Sequence, residues 1–308
     1  MPDLAVLLMA YGTPNSEKDM EGYITDIRRG RKPTLDAVEH LKERYRRIGG
    51  RSPLLEISNA QALALEKTLN AQGVNARVYV GMKHWHPYIG EVVPGIASEG
   101  CHRIIALALA PHYSRISIGE YRQALDNALT ATGNLQADFV ESWHDNPIFH
   151  RAVAEKVMVA MAHFPKSAEV GVLFTAHSLP ERILEQNDPY PSQLRSSCQA
   201  VAALMKLDRW SFAYQSAGQT GEKWLGPDIL ESLQEMSQRG KVVNVLVVPI
   251  GFVADHLEIL YDIDVEAQEF AKTHGLDLMR TESLNTSPTF ILALADIVLK
   301  QAKRKKWA

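Results

Sequence analysis

Strand-sized apolar runs recur along this chain with longer amphipathic stretches between them, and they do so in two matching series. The first series is residues 4–9, 76–81, 103–110 and 137–143; the second is 170–176, 210–215, 242–250 and 276–280. Runs this short and rich in Val, Ile, Leu and Ala suit strands buried on both faces, as in a parallel sheet covered by helices. Their endings also match. Leu8-Met9-Ala10-Tyr11-Gly12 stands against Phe174-Thr175-Ala176-His177-Ser178, and Ala108-Leu109-Ala110-Pro111-His112 against Leu246-Val247-Val248-Pro249-Ile250. The expected class is α/β, with two similar doubly wound, mainly parallel halves. We expect residues 1–150 to form the first half and 151–284 the second, with a helix in 285–308 packing back on the first. Ligands of such sheets bind beyond the carboxyl ends of the strands, so two facing crevices would make one cleft.

The rest of the composition narrows what that cleft can serve. A net charge of −3 over 308 residues argues against a general nucleic-acid binder. Neither a G-x-G-x-x-G nor a G-x-x-x-x-G-K-[ST] pattern occurs, which weakens nucleotide chemistry. Cys101 and Cys198 are too few for a disulfide framework and lack metal-site spacing, so both read as plain buried or half-buried thiols. The start lacks a basic segment ahead of an apolar one, and the apolar runs fall short of the ~20 residues of a membrane span. A cytoplasmic protein is expected. Without heptads or a long exposed apolar stripe, so is a monomer.

Two segments concentrate chemistry. In the first, His177 directly follows a buried strand and precedes Pro180, which holds its imidazole at the crevice as a base or metal ligand. The second is the helical stretch after residue 255, where Glu258, Asp262 and Glu266 recur at intervals of four. Three carboxylates stacked on one helix face repel and call for a divalent cation, although a solvated face satisfies the spacing equally well. Set against His177 from the other strand end, Glu258 would bind metal or move protons with it. His256, two residues before Glu258, should face away from it on a helix and support the turn. His84, His86 and His112 also follow expected strands, and one of them is expected in the cleft.

A third segment is basic. Arg28, Arg29, Arg31 and Lys32 are followed by Arg44, Arg46, Arg47 and Arg51. Arginine's planar fork pairs with carboxylates or phosphates, and without a phosphate loop a polycarboxylate ligand is the better reading. Tyr11, Tyr45, Tyr113 and Tyr121 could supply flat apolar walls. The basic tail 300–306 complements the dipole at a helix C-terminus.

Residues 4–14 (LAVLLMAYGTP), 27–33 (IRRGRKP), 44–54, 172–180 (VLFTAHSLP), 224–228 (WLGPD) and 249–262 (PIGFVADHLEILYD) together resemble the ferrochelatase family. The resemblance spans essentially the whole chain. It implies two Rossmann-like halves in a chelatase-like fold and insertion of ferrous iron into a porphyrin, with Fe²⁺ as substrate and no obligatory cofactor. The Tyr in MAYGTP resembles the Gram-positive type that metallates coproporphyrin III to coproheme in haem biosynthesis. Protoporphyrin IX ferrochelation, another tetrapyrrole metal chelatase such as one for cobalt or nickel, or a tetrapyrrole carrier without catalysis are the alternatives. By the resemblance Tyr11 is the axial ligand of product iron, and Arg28, Arg44, Tyr45, Ser52 and Tyr121 hold the macrocycle and its propionates. His177 and Glu258 match the metal-insertion pair, while Asp262 and Glu266 match an outer site for a second divalent ion such as Mg²⁺. The family's usual Gly before Asp-Pro-Tyr is Asn187 here, a residue that tolerates left-handed backbone.

Overall fold

A computed structural model describes residue 2 and residues 4–133, 135–218, 221–239 and 243–307. Among them are eight strands in two four-stranded parallel sheets. The first holds β1 (Leu4–Ala10), β2 (Ala76–Met82), β3 (Arg103–Ala108) and β4 (Gln136–Val140), in the order β2-β1-β3-β4. The second holds β5 (Val170–His177), β6 (Trp210–Gln215), β7 (Asn244–Val248) and β8 (Asp277–Arg280), in the order β6-β5-β7-β8. Each central pair has the switch point at which connections leave to opposite sides, so the crevice opens beyond β1 and β3 in one half and beyond β5 and β7 in the other.

All eight expected strands are present, with shifted ends. β3 and β7 stop short of Pro111 and Pro249, which offer no N–H to continue a ladder. β4 stops at Val140 because Trp143 turns back, its backbone N–H donating to the Pro111 carbonyl and its indole N–H to that of Ala108. β5 runs one residue further than expected, so His177 is its last residue, in register with Gln215. Val242, placed at the start of the seventh strand by the sequence, lies outside the described residues.

The central strands β1 and β5 are almost wholly buried, which explains their unbroken apolar sequence. Their facing sides meet in one continuous core: Leu8 and Leu107 of the first sheet share it with Phe174 and Leu246 of the second. Helices Leu54–Ala71, Pro147–Met161 and Pro288–Lys305 pack within this shared layer. The division drawn at 150/151 falls inside the helix Pro147–Met161. Both cysteines are free and buried, and Asn187 takes the left-handed backbone (φ 51°) that its place before Asp-Pro-Tyr demands. Among the described residues no helix is long and apolar enough to cross a membrane.

Candidate active site

The strand ends of both halves open into one cavity of about 460 Å³. Its walls include Tyr11, Tyr45, Ser52, Lys83, His84, Glu120 and Tyr121 from the first half and His177, Trp224, His256 and Glu258 from the second. Two glycines let the strand exits close up around it. Gly12 has φ +107°, and a Cβ there would stand 2.9 Å from the backbone nitrogen of Trp85. A Cβ on Gly251 would meet the Cα of Ala176 at 2.8 Å, so only glycine lets the turn after β7 pass against β5.

His177 is held from behind. Its carbonyl accepts the Tyr190 hydroxyl at 2.9 Å, and its Nδ1–H donates to the Ser178 carbonyl. Nε2 is thereby left facing Glu258, 3.4 Å from Oε1. Glu258 lies in the first turn of a short helix, Leu257–Leu260, and its carbonyl accepts from the buried Gln215 side chain at 3.2 Å, which ties the helix to the end of β6. The two side chains remain 33% and 28% exposed, and what they are exposed to is the cavity. Burial alone would lower the His177 pKa, but the charge and hydrogen bond of Glu258 outweigh it and raise it to about 9. Burial likewise opposes ionisation of Glu258, and His177 overrides it, holding the carboxylate well below its usual value. At neutral pH the pair is imidazolium and carboxylate.

His256 does not face away. It is not on the helix but caps it in extended backbone (φ −159°, ψ −178°), so helical spacing does not apply to it. Its Nδ1–H donates to the Ala254 carbonyl at 3.0 Å, and its Nε2 stands 3.5 Å from Glu258 Oε2. Glu258 therefore sits between two imidazoles. Among the described residues no three His, Cys, Asp or Glu side chains come close enough to hold a metal ion by themselves. A metal at this place would draw its remaining donors from a bound ligand or water.

The acidic stripe splits. After Leu260 the helix widens to a π-helix, Asp262–Ala267, with the Glu266 N–H bonded to the Tyr261 carbonyl five residues back. Asp262 is buried, and both its oxygens are taken, one by Arg44 and the other by the Ser216 hydroxyl. Burial is the main reason its pKa rises to about 6, with Arg44 opposing that rise. Glu266, one turn on, is exposed. Arg44 also stacks on Tyr261 at 4.6 Å, so its guanidinium locks the helix Leu35–Arg47 of the first half onto the second rather than lining the cavity.

The other wall is aromatic and cationic. Tyr11, at the exit of β1, lies against His84 with ring centroids 4.7 Å apart. The Lys83 ammonium sits 5.1 Å from the centroids of both Tyr11 and Tyr121. Desolvation in the cleft and then the charges of Glu258, Glu120 and Asp26 raise the Tyr11 pKa. Tyr45 is buried, its hydroxyl 2.8 Å from that of Thr13. Of the neighbouring arginines, Arg29 borders the cavity while Arg28 is exposed beside it. His84 and His112 reach the wall; His86 pairs with Glu91 outside it. The sequence reading passed over Lys83 and Glu120. Lys83 directly follows β2, so the strand-end rule that raised His84 applies to it equally. Glu120 carries no such signal, because only the packing of its helix brings it to the cavity.

A family model described as ferrochelatase matches residues 3–302. A protein named ferrochelatase from Herpetosiphon aurantiacus is 46% identical over 301 residues, covering 96% of this chain and 98% of the relative. A coproporphyrin III ferrochelatase from Geobacillus kaustophilus is 41% identical over 300 residues, covering 96% of this chain and 95% of the relative. Among solved structures, SirB from Bacillus subtilis with Fe³⁺ superposes with a TM-score of 0.59 over 99% of this chain and 98% of its own. At 11% identity that likeness is one of fold.

Proposed function

The chain belongs to the ferrochelatase family, and from that premise we propose that it inserts Fe²⁺ into coproporphyrin III to give coproheme. One observation carries the reading: a proton-holding pair, His177 and Glu258, opens into the same cavity as the aromatic wall of Tyr11 and Tyr121. Three further features support coproporphyrin over a less carboxylated porphyrin. A relative bears that name, Tyr11 stands at the exit of β1, and Arg29, next in the chain to the exposed Arg28, Arg31 and Lys32, borders the cavity with a charge that suits a propionate.

Metal insertion replaces two pyrrole protons by one dication. The nitrogen lone pairs of a flat ring point inward, so a cleft that binds the ring bent exposes them, with binding at the periphery sustaining the distortion. His177 is the group beside the ring that takes a pyrrole proton. In the free protein it already holds one, so it first sheds that proton to solvent through the cavity as the cation arrives and Glu258 exchanges imidazolium for metal. The neutral imidazole then takes one pyrrole proton, passes it to solvent and takes the second. Tyr11 holds the product iron axially from the other wall, while Ser52 and Tyr45 help to seat the macrocycle. Asp262 and Glu266 form the outer acidic step; Arg44 and Ser216 already engage Asp262, so a second divalent ion such as Mg²⁺ would have to displace Arg44 to be held there. Nitrogen and oxygen donors of this kind also accept Zn²⁺ and Cu²⁺, which should compete with iron.

Anaerobic assays with Fe²⁺, following the absorbance of coproporphyrin III and protoporphyrin IX in parallel, test the proposal. Faster metallation of coproporphyrin III is expected. Faster metallation of protoporphyrin IX would overturn the substrate while leaving the family intact.

A further inference from the structure

The first-half wall carries a carboxylate for which metal insertion has no use. Glu120 lies in the first turn of the helix Ile118–Thr132, next to Tyr121, and lines the cavity. Its Oε1 accepts from Arg29 Nη2 at 2.8 Å and its Oε2 from Lys83 Nζ at 2.8 Å. These two partners differ in kind. The Lys83 side chain is 9% exposed, packed between two tyrosine rings, whereas that of Arg29 is 82% exposed at the rim. A cation as enclosed as Lys83 requires a counter-charge at hand, and among the described residues Glu120 is the carboxylate paired with it. An ion pair as open as that of Arg29 is weak and exchanges readily for another anion.

Resting on the reading of the cavity as a porphyrin site, we propose that Glu120 is a specificity-determining residue. By engaging Lys83 it closes that edge of the cavity to substrate carboxylates and leaves Arg29, at the rim, as the cation a propionate captures. The protein thus carries an internal carboxylate where a more highly charged porphyrin would otherwise place one of its own. Once a propionate has drawn Arg29 away, Glu120 and Lys83 remain a neutral unit that offers a further anion no net positive charge there.

Equilibrium binding of metal-free coproporphyrin III (four carboxylates) and protoporphyrin IX (two), read by fluorescence over a range of salt, tests this. Glu120→Gln keeps the side chain's shape and frees the Lys83 charge. It should tighten coproporphyrin III by about tenfold, the worth of one charge-assisted contact, and protoporphyrin IX distinctly less. The salt dependence for coproporphyrin III should steepen. Arg29→Gln, at an exposed position that does not endanger the fold, should loosen coproporphyrin III by about threefold and flatten its salt dependence. Should Glu120→Gln fail to fold, Lys83→Met combined with Glu120→Gln removes both charges and should restore the wild-type preference between the two porphyrins. Unchanged or weaker binding by Glu120→Gln, an equal gain for both porphyrins, unchanged binding by Arg29→Gln, or a shifted preference in the double variant each overturns the role of Glu120. Wild-type protein that binds neither porphyrin overturns the porphyrin reading instead.

Discussion

The two sheets have one topology and opposite chemistry. β1 and β5 occupy equivalent central positions, and each ends at the cavity, the first with Tyr11 just beyond it and the second with His177 as its final residue. Around Tyr11 the fold gathers a second tyrosine, a tilted histidine ring and an enclosed lysine, a wall suited to the face of a flat apolar ring. Around His177 it gathers Glu258 and His256, imidazole and carboxylate groups of a kind suited to exchanging protons and metal ions. Equivalent positions in a repeated fold thus supply placement, and in the proposed reaction the side chains set there divide the labour between holding and reacting.

Cutting the reacting wall should show the largest effect. His177→Ala is expected to lower the insertion rate by about 10²–10⁴-fold, the range for a lost proton-transfer group, while leaving porphyrin binding largely intact. Steady-state rates beside fluorescence titration would check it, and near-normal turnover would break the division of labour. Tyr11→Phe is the matching cut in the holding wall. It should slow insertion far less and show instead in the absorption spectrum of the bound product.

The halves can also be compared as folding units. Leu8 and Phe174 are fully buried, one in each central strand, and belong to the same core. Leu8→Ala should cost about 2–5 kcal/mol and Phe174→Ala about 3–5 kcal/mol. Because the core is shared, denaturant unfolding of either variant should remain a single transition at lower midpoint. Separate transitions for the two halves would show that each stands alone.

Two titrations make smaller claims. With Glu258→Gln, the largest contribution opposing burial is gone and only the Ser178 carbonyl and the Asp262 charge still oppose it, so the His177 pKa should fall well below about 9, as read by NMR of the imidazole in metal-free protein. Linkage fixes the window. A raised His177 pKa stabilises the fold fully below 6.5 and loses that contribution as pH rises through about 9. The depressed Glu258 pKa contributes above its ordinary 4.5 and is lost in acid. The difference in stability between wild type and Glu258→Gln should therefore be greatest between about 4.5 and 6.5.

In the first half, His112 behaves oppositely. It is buried beside His144, Phe149 and Tyr190, its Nε2–H donating to the Ser197 hydroxyl at 3.0 Å, and burial pushes its pKa down to about 3. The unfolded chain takes up that proton from pH 6.5 downward and the folded chain does not, so stability falls as pH drops from 6.5 toward 3. The slope for this single group should not exceed about 1.4 kcal/mol per pH unit. A His112→Asn variant that unfolds with the same acid profile as wild type would remove this contribution from the account.

Apolar runs with β-forming composition and fixed spacing were enough to place all eight strands, their parallel sense and the two-fold repeat, because burial on both faces dictates an unbroken apolar sequence. The same rule singled out His177, since a polar residue at the end of such a run has nowhere to point but the crevice. What the sequence could not decide depended on departures from regular geometry or on long-range packing. His256 meets Glu258 only because it caps its helix in extended backbone, and Asp262 is filled from outside by Arg44, 218 residues away in the chain. Arg29 borders the cavity where its neighbour Arg28 does not, and Glu120 finds Lys83 across 37 residues. Local periodicity is written residue by residue and so survives in the sequence; the pairing of charges across a cleft is a property of surfaces that exist only once both sheets have packed on their common core.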